Sequence, residues 1–128
     1  MIGELIDTNI LTRFFIGDNP EQHKKAEKFF REAELGKRKL RLTALVAAEV
    51  VYVLESFYKR QRQEIAEFLE VFISQKWLIV ENRKIMQNIW PWYLQGFHFV
   101  DSFLLAWGKA NNEKILSFDK KLMRTIAR

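Results

Sequence analysis

Four acidic residues stand in apolar company. They are Asp7 in Glu4-Leu5-Ile6-Asp7-Thr8-Asn9, Glu49 in Ala47-Ala48-Glu49-Val50-Val51, Asp101 in Phe99-Val100-Asp101-Ser102-Phe103, and Asp119 in Leu116-Ser117-Phe118-Asp119. Asp7 and Asp119 follow short apolar runs, and taken singly each is most simply a helix N-cap. Glu49 shares a helix face with Leu45, Val46, Tyr52 and Val53, a face expected to pack against a sheet. A carboxylate buried there must pair with a Lys or Arg, reach solvent at the helix edge, or meet a bound cation. Asp101 has Phe97, Leu104, Leu105 and Gly108 as helical neighbours, and it falls in a first turn, where the helix dipole stabilises a carboxylate. If the four converge, their repulsion destabilises the fold unless a divalent cation offsets it. Oxygen-only ligation suits Mg²⁺ or Mn²⁺. An ion held this way serves phosphoryl chemistry by activating a water and steadying developing charge.

The elements that must position these acids alternate between strand and helix. Strands are predicted at Ile2 to Ile6, Lys39 to Leu42, Trp77 to Val80 and Lys114 to Ser117. Asp7-Thr8-Asn9 caps a helix through Phe15, and Gly17-Asp18-Asn19-Pro20 is a turn with Pro20 suited to a helix start. Ala26, Phe29, Phe30 and Ala33 recur at helical spacing down to Gly36. Thr43 caps a helix to about Phe57, and a further helix covers Glu64 to Ser74. Ile85 to Leu94 is helical but interrupted at Pro91, Phe99 to Ala110 is helical, and Lys120 to Ile126 forms the last helix. Strands separated by helices need crossovers and favour a parallel sheet covered on both faces. Ligands bind such sheets at the carboxyl ends of the strands, where Asp7 and Asp119 fall.

With order and spacing intact, these segments resemble the four motifs of PIN-domain ribonucleases. Leu5-Ile6-Asp7-Thr8-Asn9-Ile10-Leu11 is similar to the first, and Thr43 through Leu54, centred on Glu49, to the second. Phe97-His98-Phe99-Val100-Asp101-Ser102 is similar to the third, and Leu116-Ser117-Phe118-Asp119-Lys120-Lys121 to the fourth. Within that family the toxins of VapBC-type toxin–antitoxin pairs are the nearest likeness. The resemblance implies an α/β, three-layer α/β/α fold with a mostly parallel central sheet of four strands, or five. It also implies an Mg²⁺- or Mn²⁺-dependent endoribonuclease. Asp7 and Asp101 match the principal metal-ligand positions, Glu49 and Asp119 complete the acidic cluster, and Thr8, Asn9 and Ser117 match supporting polar positions. RNA as substrate, an antitoxin protein as partner and a homodimer are implied in the same way. The chain stops at Ile126-Ala127-Arg128, where many relatives continue into a last edge strand. A non-catalytic PIN-fold module binding RNA or protein is the alternative. A phosphatase using Asp7 as nucleophile is weaker, because the second acid it needs two residues on is Asn9.

Composition agrees with one domain over residues 1–128. The chain has 21 Lys+Arg against 16 Asp+Glu, a net charge of +5, no cysteine and two histidines, which excludes a disulfide scaffold and thiolate or His-rich metal centres. With 48% hydrophobic and 14% aromatic residues, global disorder is excluded as well. The apolar runs are too short to span a membrane and the opening residues carry no basic signal region, so a cytoplasmic location is expected. Lys120, Lys121 and Arg124, with Arg128, adjoin Asp119 and are the cations best placed for an RNA backbone. The clusters Lys37-Arg38-Lys39 with Arg41 and Lys59-Arg60 with Arg62 read as solvated faces. Phe29, Phe30, Phe68 and Phe72 read as core. Trp90-Pro91-Trp92-Tyr93 is either a packed helix end or a lining for a groove or dimer contact.

Overall fold

Three side chains start three helices. In the computed structural model, which describes residues 3–126, Asp7 Oδ1 accepts from Thr8 N at 2.8 Å and opens α1 (Thr8–Ile16). Asn19 accepts from Gln22 N at 3.0 Å and, with Pro20 in the first turn, opens α2 (Pro20–Glu34). Thr43 accepts from Val46 N at 3.2 Å and opens α3 (Ala44–Ser56). Each satisfies an amide that the helix itself leaves unpaired. Gly17 ends α1 at φ 69°, a left-handed conformation that glycine takes without a Cβ clash.

Between these helices run β1 (Glu4–Leu5), β2 (Leu40–Leu42) and β3 (Leu78–Val80), joined in parallel in the order β1-β2-β3. The register sets Leu5 beside Arg41, and Leu40, Arg41 and Leu42 beside Leu78, Ile79 and Val80. Helices α4 (Arg62–Ile73), α5 (Arg83–Gln87), α6 (Trp90–Leu94), α7 (Phe99–Asn111) and α8 (Lys120–Ile126) complete a three-layer α/β/α arrangement. Leu40, Leu42, Leu78 and Val80 are buried on one face of the sheet, against a core that includes Leu11, Val50, Leu54, Ile65 and Leu69. No described helix is long and apolar enough to cross a membrane.

Four expectations change. The described residues form three strands, not four, because Lys114 to Ser117 does not join the sheet. After α7 the chain reverses at Asn112 in the left-handed region, and Glu113 N donates to Gly108 O at 3.0 Å. Trp107 Nε1 donates to Glu113 at 3.1 Å, and Ile115 packs beside Phe97, Leu105 and Leu122. A Cβ at residue 108 would lie 2.9 Å from Glu113 O, so the missing side chain permits this approach. The segment is thereby held along α7, and Leu116 and Phe118 face solvent. Ile2, expected in the first strand, and residues 127–128, relevant to a fifth strand and to Arg128, lie outside the described residues.

Second, the Leu45–Glu49–Tyr52 face of α3 does not pack on the sheet: Leu45 is 81% and Tyr52 68% exposed, and Glu49 is exposed too. Ala47, Val50, Val51 and Leu54 form the inward face instead. Third, Pro91 does not interrupt a helix. The break falls at Asn88-Ile89, and Pro91 sits in the first turn of α6, where it needs no amide partner. Fourth, Arg38, Arg41 and Arg62, expected on solvated faces, are half-buried and approach Glu32, Glu81 and Glu55, whereas Phe30 and Phe72 are buried with Phe29 and Phe68 packed against the core as expected.

Both readings of Trp90-Pro91-Trp92-Tyr93 hold in part: Pro91 and Trp92 line a groove with Ala106 and Lys109, and Trp90 and Tyr93 are buried as a packed helix end. Arg62 on α4 holds this end in place: Nη1 donates to the Tyr93 and Phe97 carbonyls at 2.7 Å each, and the guanidinium lies 4.4 Å from the Tyr93 ring centroid. The Tyr93 hydroxyl donates to Glu55 of α3, which Arg62 also approaches at 3.8 Å. Burial pushes the Tyr93 phenol well above its ordinary range, and the Glu55 carboxylate adds to that. The folded state therefore holds this proton more tightly than the unfolded chain does. The stabilisation is complete below the unfolded tyrosine pKa of about 10 and is lost as pH rises beyond it. Urea midpoints should fall between about pH 9 and 11, and more steeply in the parent chain than in Tyr93→Phe. Equal slopes would separate Tyr93 from the alkaline transition.

Candidate active site

The parallel register places the residues that follow each strand on one edge of the sheet. Asp7 follows β1, Thr43 follows β2 and Glu81 follows β3. Asp7 is exposed and caps α1, so the capping role holds, and its carboxylate stands at the positive end of the helix dipole. The next residue, Thr8, is buried, and its Oγ1 donates to Glu49 Oε1 at 2.6 Å. That bond joins α1 to α3 and holds one carboxylate oxygen of Glu49 beside the Asp7 turn. Glu49 therefore keeps a neutral hydroxyl partner and solvent access, and no Lys or Arg pairs with it among the described residues.

Glu81 was not among the acids singled out from the sequence. Its carboxylate accepts from Ala44 N at 3.3 Å and from Arg41 at 3.4 Å, tying the start of α3 to the ends of β2 and β3. The signal was present, since Val80-Glu81 repeats the strand-then-acid order of Ile6-Asp7.

Asp101 lies half-buried in the first turn of α7, as expected, and α7 packs against α3. Ser102 beside it is buried and donates to His98 O at 2.9 Å, fixing that turn. Asp119 is exposed, and its Oδ1 accepts from Leu122 N at 2.9 Å, a cap for α8. Ser117 Oγ accepts from Asp119 N at 2.9 Å, so this supporting residue shapes the turn that carries Asp119. Asn9 is exposed on the first turn of α1. Lys120, Lys121 and Arg124 are exposed on α8, with Lys121 Nζ 4.4 Å from the Phe97 ring centroid.

The structure thus brings Asp7, Thr8 and Glu49 together and sets Asp101 on a helix packed against the one that carries Glu49. Asp119 remains on the segment held along α7. Among the described residues, no three acidic or histidine side chains converge to hold one ion. In kind, however, the donors fit a hard divalent cation, being carboxylate and hydroxyl oxygens throughout.

Residues 5–128 match the PIN domain family, and the chain belongs to that family. The parallel sheet and its helical layers are accordingly those of a PIN domain. Among individual proteins, it is similar to the VapC ribonuclease of Aquifex aeolicus (strain VF5), at 35% identity over 85 residues. That similarity covers 66% of this chain and 62% of the relative, so it spans less than two thirds of the relative's length. No solved structure matches the chain significantly.

Thr8→Val should destabilise the fold by about 1–2 kcal/mol, because it removes a hydrogen bond to a carboxylate and leaves the shape intact. Thr8→Ser should recover most of the loss. A double-mutant cycle with Glu49→Ala in urea measures the coupling, and strict additivity would show that the two side chains do not act together.

Proposed function

We propose that this chain is a metal-dependent endoribonuclease and the toxin of a VapBC-type pair, built as one domain over residues 1–128. The observation that carries the reading is the Asp7–Thr8–Glu49 arrangement at the carboxyl edge of a PIN-domain sheet. Its similarity to a VapC ribonuclease supports the choice of RNA. Asp7 and Asp101 would hold Mg²⁺ or Mn²⁺, with Glu49 and Asp119 completing the set. When bound, such an ion supplies a water nucleophile at neutral pH and neutralises charge on the scissile phosphate.

The side chains have separate tasks in this reading. Thr8 fixes one Glu49 oxygen and leaves the other free to accept a proton or a hydrogen bond. The amide ends of α1 and α7 favour the negative charge gathered at Asp7 and Asp101. Asn9 and Ser117 support the site, and Lys120, Lys121 and Arg124 would neutralise RNA phosphates beside Asp119. Asp119 would complete the set from the start of α8, which its carboxylate caps. The second reading is a PIN-fold module that binds RNA or protein without cutting, which the loss of one acid would favour; all four are present.

An antitoxin would lie in the groove of about 620 Å³ between α1, α2 and α4, whose aromatic floor includes Phe14, Phe30, Phe68 and Phe72. Glu27, Glu34, Glu64 and Glu67 rim it, so an apolar helix flanked by Lys and Arg fits its chemistry. A second copy of the chain would cover Leu45 and Tyr52 on α3 with Val100 and Leu104 on α7. The setting proposed is the cytoplasm.

Asp7→Asn and Asp101→Asn should each reduce Mg²⁺- or Mn²⁺-dependent cleavage of RNA to background, with circular dichroism and melting unchanged. Thr8→Ala and Ser117→Ala should cost about 10–100-fold. Full activity in both Asn variants would sink the assignment. RNA binding by the wild type without any cleavage would select the second reading. Co-expression with a small neighbouring antitoxin frame should give an inhibited complex, and Glu64→Lys with Glu67→Lys should weaken it at least tenfold. An unchanged affinity would move the antitoxin to another surface.

A further inference from the structure

A second, smaller cleft opens between α1 and α2, with a volume of about 220 Å³. Its lining contains Arg13 and Lys25 as cations, Asn9 and Gln22 as amides, and Ile10, Ala26 and Phe29 as an apolar floor. No carboxylate lines it. Asn9 lies two residues beyond Asp7 in the first turn of α1, so the cleft reaches the helix end that Asp7 caps. Arg13 is one turn further along the same helix face. The Arg38 guanidinium lies 4.6 Å from the Phe29 ring centroid but does not line the cleft and is paired with Glu32 and Glu4, which leaves Arg13 and Lys25 as its cations.

The two lining cations are held loosely. Arg13 pairs with Asp18 at 3.2 Å and Lys25 with Glu21 at 3.4 Å, and all four side chains are more than a third exposed. Exposed pairs of this kind contribute little stability and are screened by salt, so a polyanion can displace either carboxylate. Neither Asp18 nor Glu21 lines the cleft, and exchange would leave the cations in place with a new partner. The contrast with the larger groove is one of charge. Four glutamates and one arginine line that groove, which repels a phosphate backbone. Cations with amides suit nucleic acid, because the cations neutralise phosphates and the amides hydrogen-bond to sugar hydroxyls or base edges. Base edges are free for such contacts in single strands.

We propose that the α1–α2 cleft is a substrate subsite, which holds a single-stranded RNA residue next to the scissile phosphate. Arg13 and Lys25 contact the backbone, Asn9 and Gln22 face the sugar or base, and Asp18 and Glu21 occupy the cations until RNA arrives. The inference rests on the nuclease reading above and adds to it a place for the flanking strand.

The test uses the full chain and a labelled single-stranded RNA oligonucleotide of mixed sequence. Binding is measured by anisotropy across a salt series in the Asp7→Asn background, and cleavage kinetics are measured with Asp7 intact. Arg13→Gln with Lys25→Gln should weaken binding at least tenfold and lower the magnitude of the log–log salt slope by about 1.4, or about 0.7 for each lost phosphate contact. It should raise KM while kcat stays within about twofold. Asp18→Asn, which releases Arg13, should tighten binding. Lys76→Gln removes one charge outside the cleft and should change binding less than twofold. Wild-type binding and cleavage with cleft variants no weaker than Lys76→Gln overturn the subsite alone. A wild-type chain that neither binds nor cuts RNA overturns the nuclease reading and the subsite with it.

Discussion

A parallel sheet has a direction, and here it sends the ends of β1, β2 and β3 to one edge. The polar residues at that edge serve two purposes at once. Asp7 ends the first strand unit and caps α1, Thr43 does the same for α3, and Glu81 receives the Ala44 amide from the far side of the sheet. The atoms that start the helices are therefore those that shape the candidate site. The Thr8–Glu49 bond closes the arrangement by joining the two helices that this edge initiates.

Much of this was legible in the sequence because capping and turn chemistry are local. Asp7, Thr43 and Pro20 are each recognisable from a few neighbours, and each does in the structure what its type suggests. Asp101 in a first turn was readable for the same reason. Failures came where a distant contact decided the outcome. Lys114 to Ser117 has the apolar content of a strand, yet Glu113 meets Gly108 and Ile115 joins a small cluster with Phe97 and Leu122. Periodicity likewise cannot say which of two apolar faces of α3 turns inward, since Leu45 and Tyr52 are as hydrophobic as the residues that do. Glu81 carried a local signal in its place after a strand, but the partners that fix its role, Ala44 and Arg41, lie 37 and 40 residues away.

The formal charge of +5 conceals an uneven surface. Carboxylates gather at the sheet edge and around the aromatic groove, while the α1–α2 cleft is lined by cations and amides. Separate regions of one small surface thus differ in the polyion they favour. A chain of this size can present an anion-repelling groove and an anion-accepting cleft because α1 contributes to both, Phe14 and Phe15 to the first and Asn9 and Arg13 to the second.

The outer edge of β1 pairs with nothing among the described residues, and Leu5 next to it is exposed. Unpaired backbone beside apolar side chains is what recruits a foreign strand, and it governs how a protein behaves when concentrated. Two features restrain that here. The strand is only two residues long, and Glu4, within 3.6 Å of Arg38, places charge on the rim. Resistance of this edge to strand addition therefore rests on the shortness of β1 and on one charged side chain. A neutral residue at position 4 would remove that charge and leave only the length of the strand to discourage a foreign partner.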